Sequence, residues 1–287
     1  YPEIFFEEKI HEIRRIQPDP NQIKTAAERL KSSKKPIIIA GGGILYSEAE
    51  KELSDFAKKH NIPVTPTVMG LGCMDRDDPY YIGAIGALGA GSSNSLSKDT
   101  DLALAVGTKL GDFTTGSWAN FENQDFKLVS INTTRFDVTK HMATPVISDA
   151  KVGFEELSKA LGDWKAPSIW FDRAIKERTE WDSYVDKESG PTNQELPSYA
   201  HAVGAVYRNA DPSDIVVTAA GGLVGEVVQI WKPKQKNTFE TEWGFSCMGY
   251  EISGALGIKM AKPDQDVIVF IGDGSYLLAN SDIYSSV

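Results

Sequence analysis

Near the end of the chain an apolar run, Val267-Ile268-Val269-Phe270-Ile271, leads into Gly272-Asp273-Gly274-Ser275. A mostly β-branched run of this length reads as a strand buried on both faces, and the turn after it would deliver one carboxylate to the strand's carboxyl end. Open α/β sheets bind ligands at that edge. The glycines let backbone N–H groups approach an anion. Asp273 among them suits Mg²⁺, which takes one or two carboxylates together with phosphate oxygens. The residue types therefore point to a metal-diphosphate site. The same residues also make an ordinary turn after a strand, so the choice rests on the rest of the chain.

Such an edge needs parallel strands joined by helices, and the hydrophobic pattern supplies them. Ile23, Ala26, Ala27 and Leu30 fall on one helical face, and residues 36–40 then read as a buried strand ending at Gly41-Gly42-Gly43. Ser47-Glu48-Ala49-Glu50 has the spacing of a capping box, with Ala49, Leu53, Phe56 and Ala57 as the apolar stripe of the helix that follows. Further strands are expected at 64–68, 102–106, 128–132 and 146–147, and a helix at 152–161. The alternation implies an α/β fold with doubly wound parallel sheets. A dinucleotide fingerprint starting at Gly41 fails, because Tyr46 stands where its third glycine belongs and no acidic residue closes the next strand near Thr67. A tight strand-to-helix turn is the preferred reading there.

Residues 166–196 break the alternation. Phe171, Ala174, Ile175, Trp181 and Val185 share one face of a strongly charged helix, and Ser189-Gly190-Pro191-Thr192-Asn193 ends it with turn residues, which reads as a connector. A second α/β unit follows: a helix over 199–207, a strand over 215–219, Gly221-Gly222 opening another helix, and a strand near 239–242. Gly254, Ala255 and Gly257 are small residues on a helix that could lie close to the sheet or to a ligand.

Composition narrows the class. The 287 residues suffice for two cores. A formal net charge of -10 argues against a general nucleic-acid or anionic-membrane surface, and no apolar run approaches the ~20 residues of a membrane span. Cys73 and Cys247 have no metal-type spacing and read as reduced thiols of a cytoplasmic protein. His11, His60, His141 and His201 form no ligand pattern and read as surface or cap residues.

Taken together, Ile271-Gly272-Asp273-Gly274-Ser275, Gly244-Phe245-Ser246-Cys247-Met248-Gly249-Tyr250 and Ala219-Ala220-Gly221-Gly222 resemble the diphosphate-binding domain of thiamine-diphosphate-dependent enzymes. Gly41-Gly42-Gly43, the run from Pro63 to Gly72 and Val106-Gly107 are similar to the central domain of that family. The resemblance covers nearly the whole chain. It divides the chain into a linker over 1–18, a central α/β domain over 19–165, the connector over 166–196 and a truncated diphosphate-binding domain over 197–287. It implies thiamine diphosphate and Mg²⁺ as cofactors. Asp273 would ligate the metal, and Gly272, Gly274 and Ser275 would line the diphosphate. Gly221, Gly222 and Leu223 would approach it from the neighbouring turn, where free backbone N–H groups can donate. Met248 would be the wedge that bends the cofactor, with backbone at Ser246 accepting from its amino group. Without the family, Met248 reads as a core filler. Glu251 reads either as a polar group facing a hydroxylated substrate or as an acidic first-turn residue favoured by the helix dipole.

Within the family, Glu242-Trp243-Gly244 and Tyr250-Glu251-Ile252-Ser253 look like the branch that hydrolyses a C–C bond of a small cyclic dione in inositol breakdown. An acetohydroxyacid synthase-like carboligase or decarboxylase, and a non-catalytic nucleotide-binding module with FAD, ADP or nothing in the central domain, stay open beside it. The family's second metal ligand is an asparagine further along than Asn280, and its activating glutamate comes from a pyrimidine-binding domain ahead of the central one. The resemblance thus implies a fragment that is inactive alone, cut from a homodimer or homotetramer.

Overall fold

The computed structural model describes residues 1–10, 12 and 14–286. The first sheet is built from β1 (Pro36–Ala40), β2 (Val64–Pro66), β3 (Leu102–Val106), β4 (Lys127–Asn132) and β5 (Thr144–Ile147). Its order is β2-β1-β3-β4-β5, and every pairing is parallel. The helices among these strands are α1 (Pro20–Ser32), α2 (Gly43–Tyr46), α3 (Glu50–His60), α4 (Gly91–Asp99), α5 (Asp112–Thr115), α6 (Arg135–Thr139), α7 (Ala150–Leu161) and α8 (Ser168–Glu188). The second unit adds α9 (Tyr199–Asn209), β6 (Ile215–Thr218), α10 (Leu223–Ile230), β7 (Phe239–Thr241), α11 (Tyr250–Ala261), β8 (Val267–Val269) and α12 (Asp273–Ala279). Its sheet runs β7-β6-β8, again parallel. The doubly wound α/β expectation holds for both sheets.

The period of the strands explains the layering. In β1, Ile38 and Ala40 point into a core shared with Leu30, Leu53, Phe56 and Phe154 of α1, α3 and α7. Ile37 and Ile39 point to the opposite face, into a core closed by Leu96 of α4 and by Trp170 and Ala174 of α8. All five β1 residues are buried, as a parallel strand covered on both sides must be. The helix stripes also fall as read: Ile23, Ala26, Ala27 and Leu30 are buried in α1, and Ala49, Leu53, Phe56 and Ala57 at α3. Helix α8 packs on the central sheet through the Trp170 indole, which donates to Pro36 O at 2.9 Å. Arg178 donates to the carbonyls of Asp78 and Arg76.

Four expectations are corrected. Strand β8 stops at Val269 and is only half-buried throughout, because among the described residues it is an edge strand bonded to β6 alone. The capping box at Ser47 does not form: α3 starts at Glu50 after Ala49 with no side-chain cap, while Ser47 closes α2 and its hydroxyl accepts from the Ala150 N–H. The strand expected over 64–68 ends at Pro66 and gives way to a 3₁₀ turn, Val68–Gly70. His60 is buried rather than superficial: its Nδ1–H donates to Trp164 O at 2.7 Å and its Nε2 accepts from the Ser158 hydroxyl at 3.0 Å. Of the other histidines, His201 caps α9, His141 is exposed, and His11 lies outside the described residues.

Candidate functional site

Two carboxyl-edge regions emerge. The first sits at the switch point of the five-stranded sheet, where β1 is followed by β2 on one side and β3 on the other. The strands are drawn so close there that a Cβ at Gly41 would lie 2.3 Å from Gly107 O, and one at Gly43 2.6 Å from Gly107 Cα. A cleft of about 650 Å³ opens above them, lined by Gly42, Gly43, Met69, Thr108, Lys109 and Asn132 among others, and reaches Trp243 of the second unit. Gly41-Gly42-Gly43 is thus a tight turn, as read, and its Gly42 and Gly43 also line a cavity that the failed fingerprint did not disclose.

The second region carries the residues singled out from the sequence. The run Ile215–Thr218 is buried in every position, and Ala219-Ala220 carries the chain to Gly221, whose φ of +88° suits glycine, and then to Gly222, which begins α10. Among the described residues no atom lies within 4 Å of a Cβ placed at Gly221, Gly222 or Gly272, so the backbone at these three positions faces open space. Asp273 is exposed at the first position of α12 and accepts the Gly274 N–H at 2.9 Å. Ser275, two positions on, is 3% exposed. The loop before α11 meets this turn: a Cβ on Gly274 would touch the Met248 methyl at 3.1 Å, and one on Gly249 would lie 2.9 Å from Ala279 Cβ. Met248 is 49% exposed, which is not the environment of a core filler. Ser246, at φ +54°, directs its hydroxyl to Ala219 O at 3.4 Å. Gly221, Gly222, Leu223, Ser246, Met248, Gly272, Asp273, Gly274 and Ser275 therefore lie at the β6–α10 turn, the β8–α12 turn and the β7–α11 loop between them in chain order.

The donor set fits a diphosphate held through a hard cation. Three glycines leave room for a ligand against bare backbone, and one carboxylate is presented beside them. Among the described residues no group of three or more His, Cys, Asp or Glu side chains gathers to hold a metal, and Asp273 would supply one carboxylate to such a cation.

Two acidic residues have roles that the sequence did not convey. Glu242 folds over the 244–247 loop and accepts from Cys247 N at 2.6 Å and Phe245 N at 3.0 Å; these N–H groups hold its carboxyl below the usual range. The same carboxylate raises the pKa of the Cys247 thiol. Glu251 is 0% exposed and faces no solvent or substrate space. It accepts from Gly249 N at 2.9 Å and Ala220 N at 3.3 Å. An acidic residue in the first turn of α11 was legible; what its carboxylate reaches across the sheet was not.

Two parallel sheets with glycines at their carboxyl edges define an α/β protein with the open edges at which such sheets bind ligands. Residues 23–157 match the thiamine pyrophosphate enzyme central domain, and residues 219–287 match the thiamine pyrophosphate enzyme C-terminal TPP binding domain. The chain belongs to the thiamine pyrophosphate enzyme family. It is 36% identical to a 3D-(3,5/4)-trihydroxycyclohexane-1,2-dione hydrolase of Clostridium tetani over 311 aligned positions, covering 100% of this chain and 48% of the relative. Proteins of the same description from Geobacillus thermodenitrificans and Clostridium perfringens are 34% and 33% identical with the same coverage. The chain spans about half the length of the curated relatives it matches. No helix among the described residues is long and apolar enough to cross a membrane.

Proposed function

We propose that the protein containing this chain is a thiamine-diphosphate- and Mg²⁺-dependent hydrolase that opens the ring of 3D-(3,5/4)-trihydroxycyclohexane-1,2-dione to 5-deoxyglucuronate, in the cytoplasm and as a homo-oligomer. The observation that carries the reading is the convergence of Met248 on Gly274, one residue from the exposed Asp273 carboxylate, together with the open backbone at Gly221 and Gly222. Asp273 holds the metal in this reading, and Gly272, Gly274 and Ser275 lie along the diphosphate. Gly221, Gly222 and the N–H of Leu223 approach the diphosphate from the β6–α10 turn. Met248 supplies an apolar wedge, and the Ser246 carbonyl accepts from the pyrimidine amino group. Thiamine diphosphate, when bound, would supply the carbanion chemistry and electron sink that cleavage of a C–C bond beside a ketone requires, water completing the hydrolysis. The resemblance of Tyr250-Glu251-Ile252-Ser253 to the dione-hydrolysing branch favours hydrolysis over carboligation.

The test is acid release from the dione by the full-length protein, with and without Mg²⁺ and thiamine diphosphate, and with pyruvate as the control substrate. Acid formed from the dione only when both cofactors are present is the expected result, and Asp273→Ala should abolish the Mg²⁺ dependence of cofactor affinity. Turnover of pyruvate in place of the dione would move the protein to the carboligase branch. A second reading rests on the 650 Å³ cleft at the switch point, which has the place and size of a nucleotide site. Saturable FAD or ADP binding with no thiamine diphosphate dependence would favour a nucleotide-binding module.

A further inference from the structure

We infer that Glu251 is a positioning residue that holds the two glycine-hinged loops of the diphosphate edge in one register. The inference rests on the thiamine diphosphate reading of that edge. Glu251 is fully buried, and its carboxylate accepts from two backbone N–H groups: Oε2 from Gly249 and Oε1 from Ala220. These two donors belong to different loops. Ala220 is followed by Gly221 and Gly222, which open the β6–α10 turn, and Gly249 follows Ser246 and Met248 in the β7–α11 loop. Both loops pivot on left-handed glycines, Gly221 at φ +88° and Gly249 at φ +91°. A loop hinged on glycine has more conformations to lose than any other, so an anchor at the hinge decides how well it is placed before a ligand arrives.

The Ser246 hydroxyl spans the same gap to Ala219 O at 3.4 Å; this contact and the 3.3 Å contact from Ala220 N to Glu251 are both long for hydrogen bonds, whereas Gly249 N reaches Glu251 at 2.9 Å. A buried carboxylate with two accepting oxygens is the group that can serve two N–H donors at once. An amide of the same shape cannot, because its NH₂ end would confront an N–H. Glu251 therefore fixes the spacing between the turn that approaches the diphosphate and the segment that carries Ser246 and Met248, without touching either ligand or substrate itself.

The experiment measures thiamine diphosphate affinity, in the presence of Mg²⁺, by titration calorimetry on the full-length protein and its Glu251→Gln variant, alongside melting of both without cofactor. Supporting residues behind a ligand shell typically carry about 10- to 100-fold in affinity. The variant should weaken cofactor binding by that factor, and kcat at saturating cofactor should fall while the substrate KM stays unchanged. Glu251→Ala should weaken binding further than Glu251→Gln, which keeps one accepting oxygen. Equal affinity in wild type and Glu251→Gln, whatever happens to the melting temperature, would overturn the inference and leave the cofactor reading intact. Absence of binding by the wild type would instead overturn the cofactor reading, and this inference with it. If neither variant folds, hydrogen exchange in the cofactor-free wild type decides: the Ala220 and Gly249 amides should be protected together, and exchange of either at the rate of an open loop would refute the tie.

Discussion

At the scale of single residues, a carboxylate or imidazole is defined by what surrounds it, and sequence shows only its type. Asp273 was legible as an exposed carboxylate at a carboxyl edge because a Gly-Asp-Gly turn follows an apolar run, although the strand itself ends two residues early, at Val269. Glu251 and His60 were not, since their partners lie on other elements: Ala220 for Glu251, and Trp164 and Ser158 for His60. For His60 the consequence is measurable. Burial pushes its pKa below the usual 6.5, opposed by the hydrogen bond to Trp164 O. The unfolded state then binds a proton at a higher pH than the folded state, so the contribution is fully present above about pH 6.5 and is lost as pH falls through the folded value. Wild type should therefore lose more stability between pH 7.5 and 5.5 than His60→Gln does, in urea melts at each pH. Parallel pH slopes for the two proteins would show that His60 titrates as freely in the core as in the unfolded chain.

At the scale of elements, the strands of the central sheet were readable because burial on both faces demands continuous apolar runs, and short β-branched runs between turn residues form little else. The ends and edges were less so. Nothing within residues 267–271 tells an edge strand from a central one, and the Ser47 spacing fits a capping box that the two-helix path α2–α3 makes impossible. Glycines show the same division. Gly41 marks a close approach of β1 and β3, where a Cβ would collide with Gly107 O at 2.3 Å and with Thr108 Cβ at 2.6 Å. A Cβ placed at Gly257, in α11, would meet nothing within 4 Å among the described residues outside its own helix backbone, and Gly254 makes room for the Tyr250 ring of its own helix rather than for the sheet. The two substitutions Gly41→Ala and Gly257→Ala should therefore have opposite signs. Gly41→Ala should destabilise by about 1–3 kcal/mol through overpacking. Gly257→Ala should stabilise by roughly 0.5–1 kcal/mol by favouring the helix. Urea midpoints of both variants against wild type check this, and a neutral Gly41→Ala would mean that β1 and β3 separate readily at the switch point.

At the scale of the whole molecule, the question is whether two sheets make two independent units. Family boundaries and the charged helix between the sheets suggest a division, yet one buried core runs across it. Val68, Leu71 and Ala84 from the central unit share a single cluster with Val185 of α8 and with Val216, Val224, Val227, Trp231 and Phe270 of the second unit. Polar and aromatic contacts reinforce the junction: Lys234 pairs with Asp77 at 3.7 Å, Lys232 with Asp186 at 3.2 Å, and Phe113 meets Trp243 edge-on at 5.4 Å between ring centres. Surface ion pairs add little, so the apolar cluster must carry the coupling. Unfolding should then be a single transition, with calorimetric and van't Hoff enthalpies equal. Leu71, 2% exposed on the central side of that cluster, is the residue with which to break it. Leu71→Ala should cost about 2–5 kcal/mol and leave a cavity between the sheets. The transition should broaden or split as the second unit, with its smaller sheet, opens first. Two resolved transitions already in the wild type would mean that the shared cluster does not couple the sheets. The two units would then open independently; a single transition that splits only in Leu71→Ala would show that the shared cluster is what joins them.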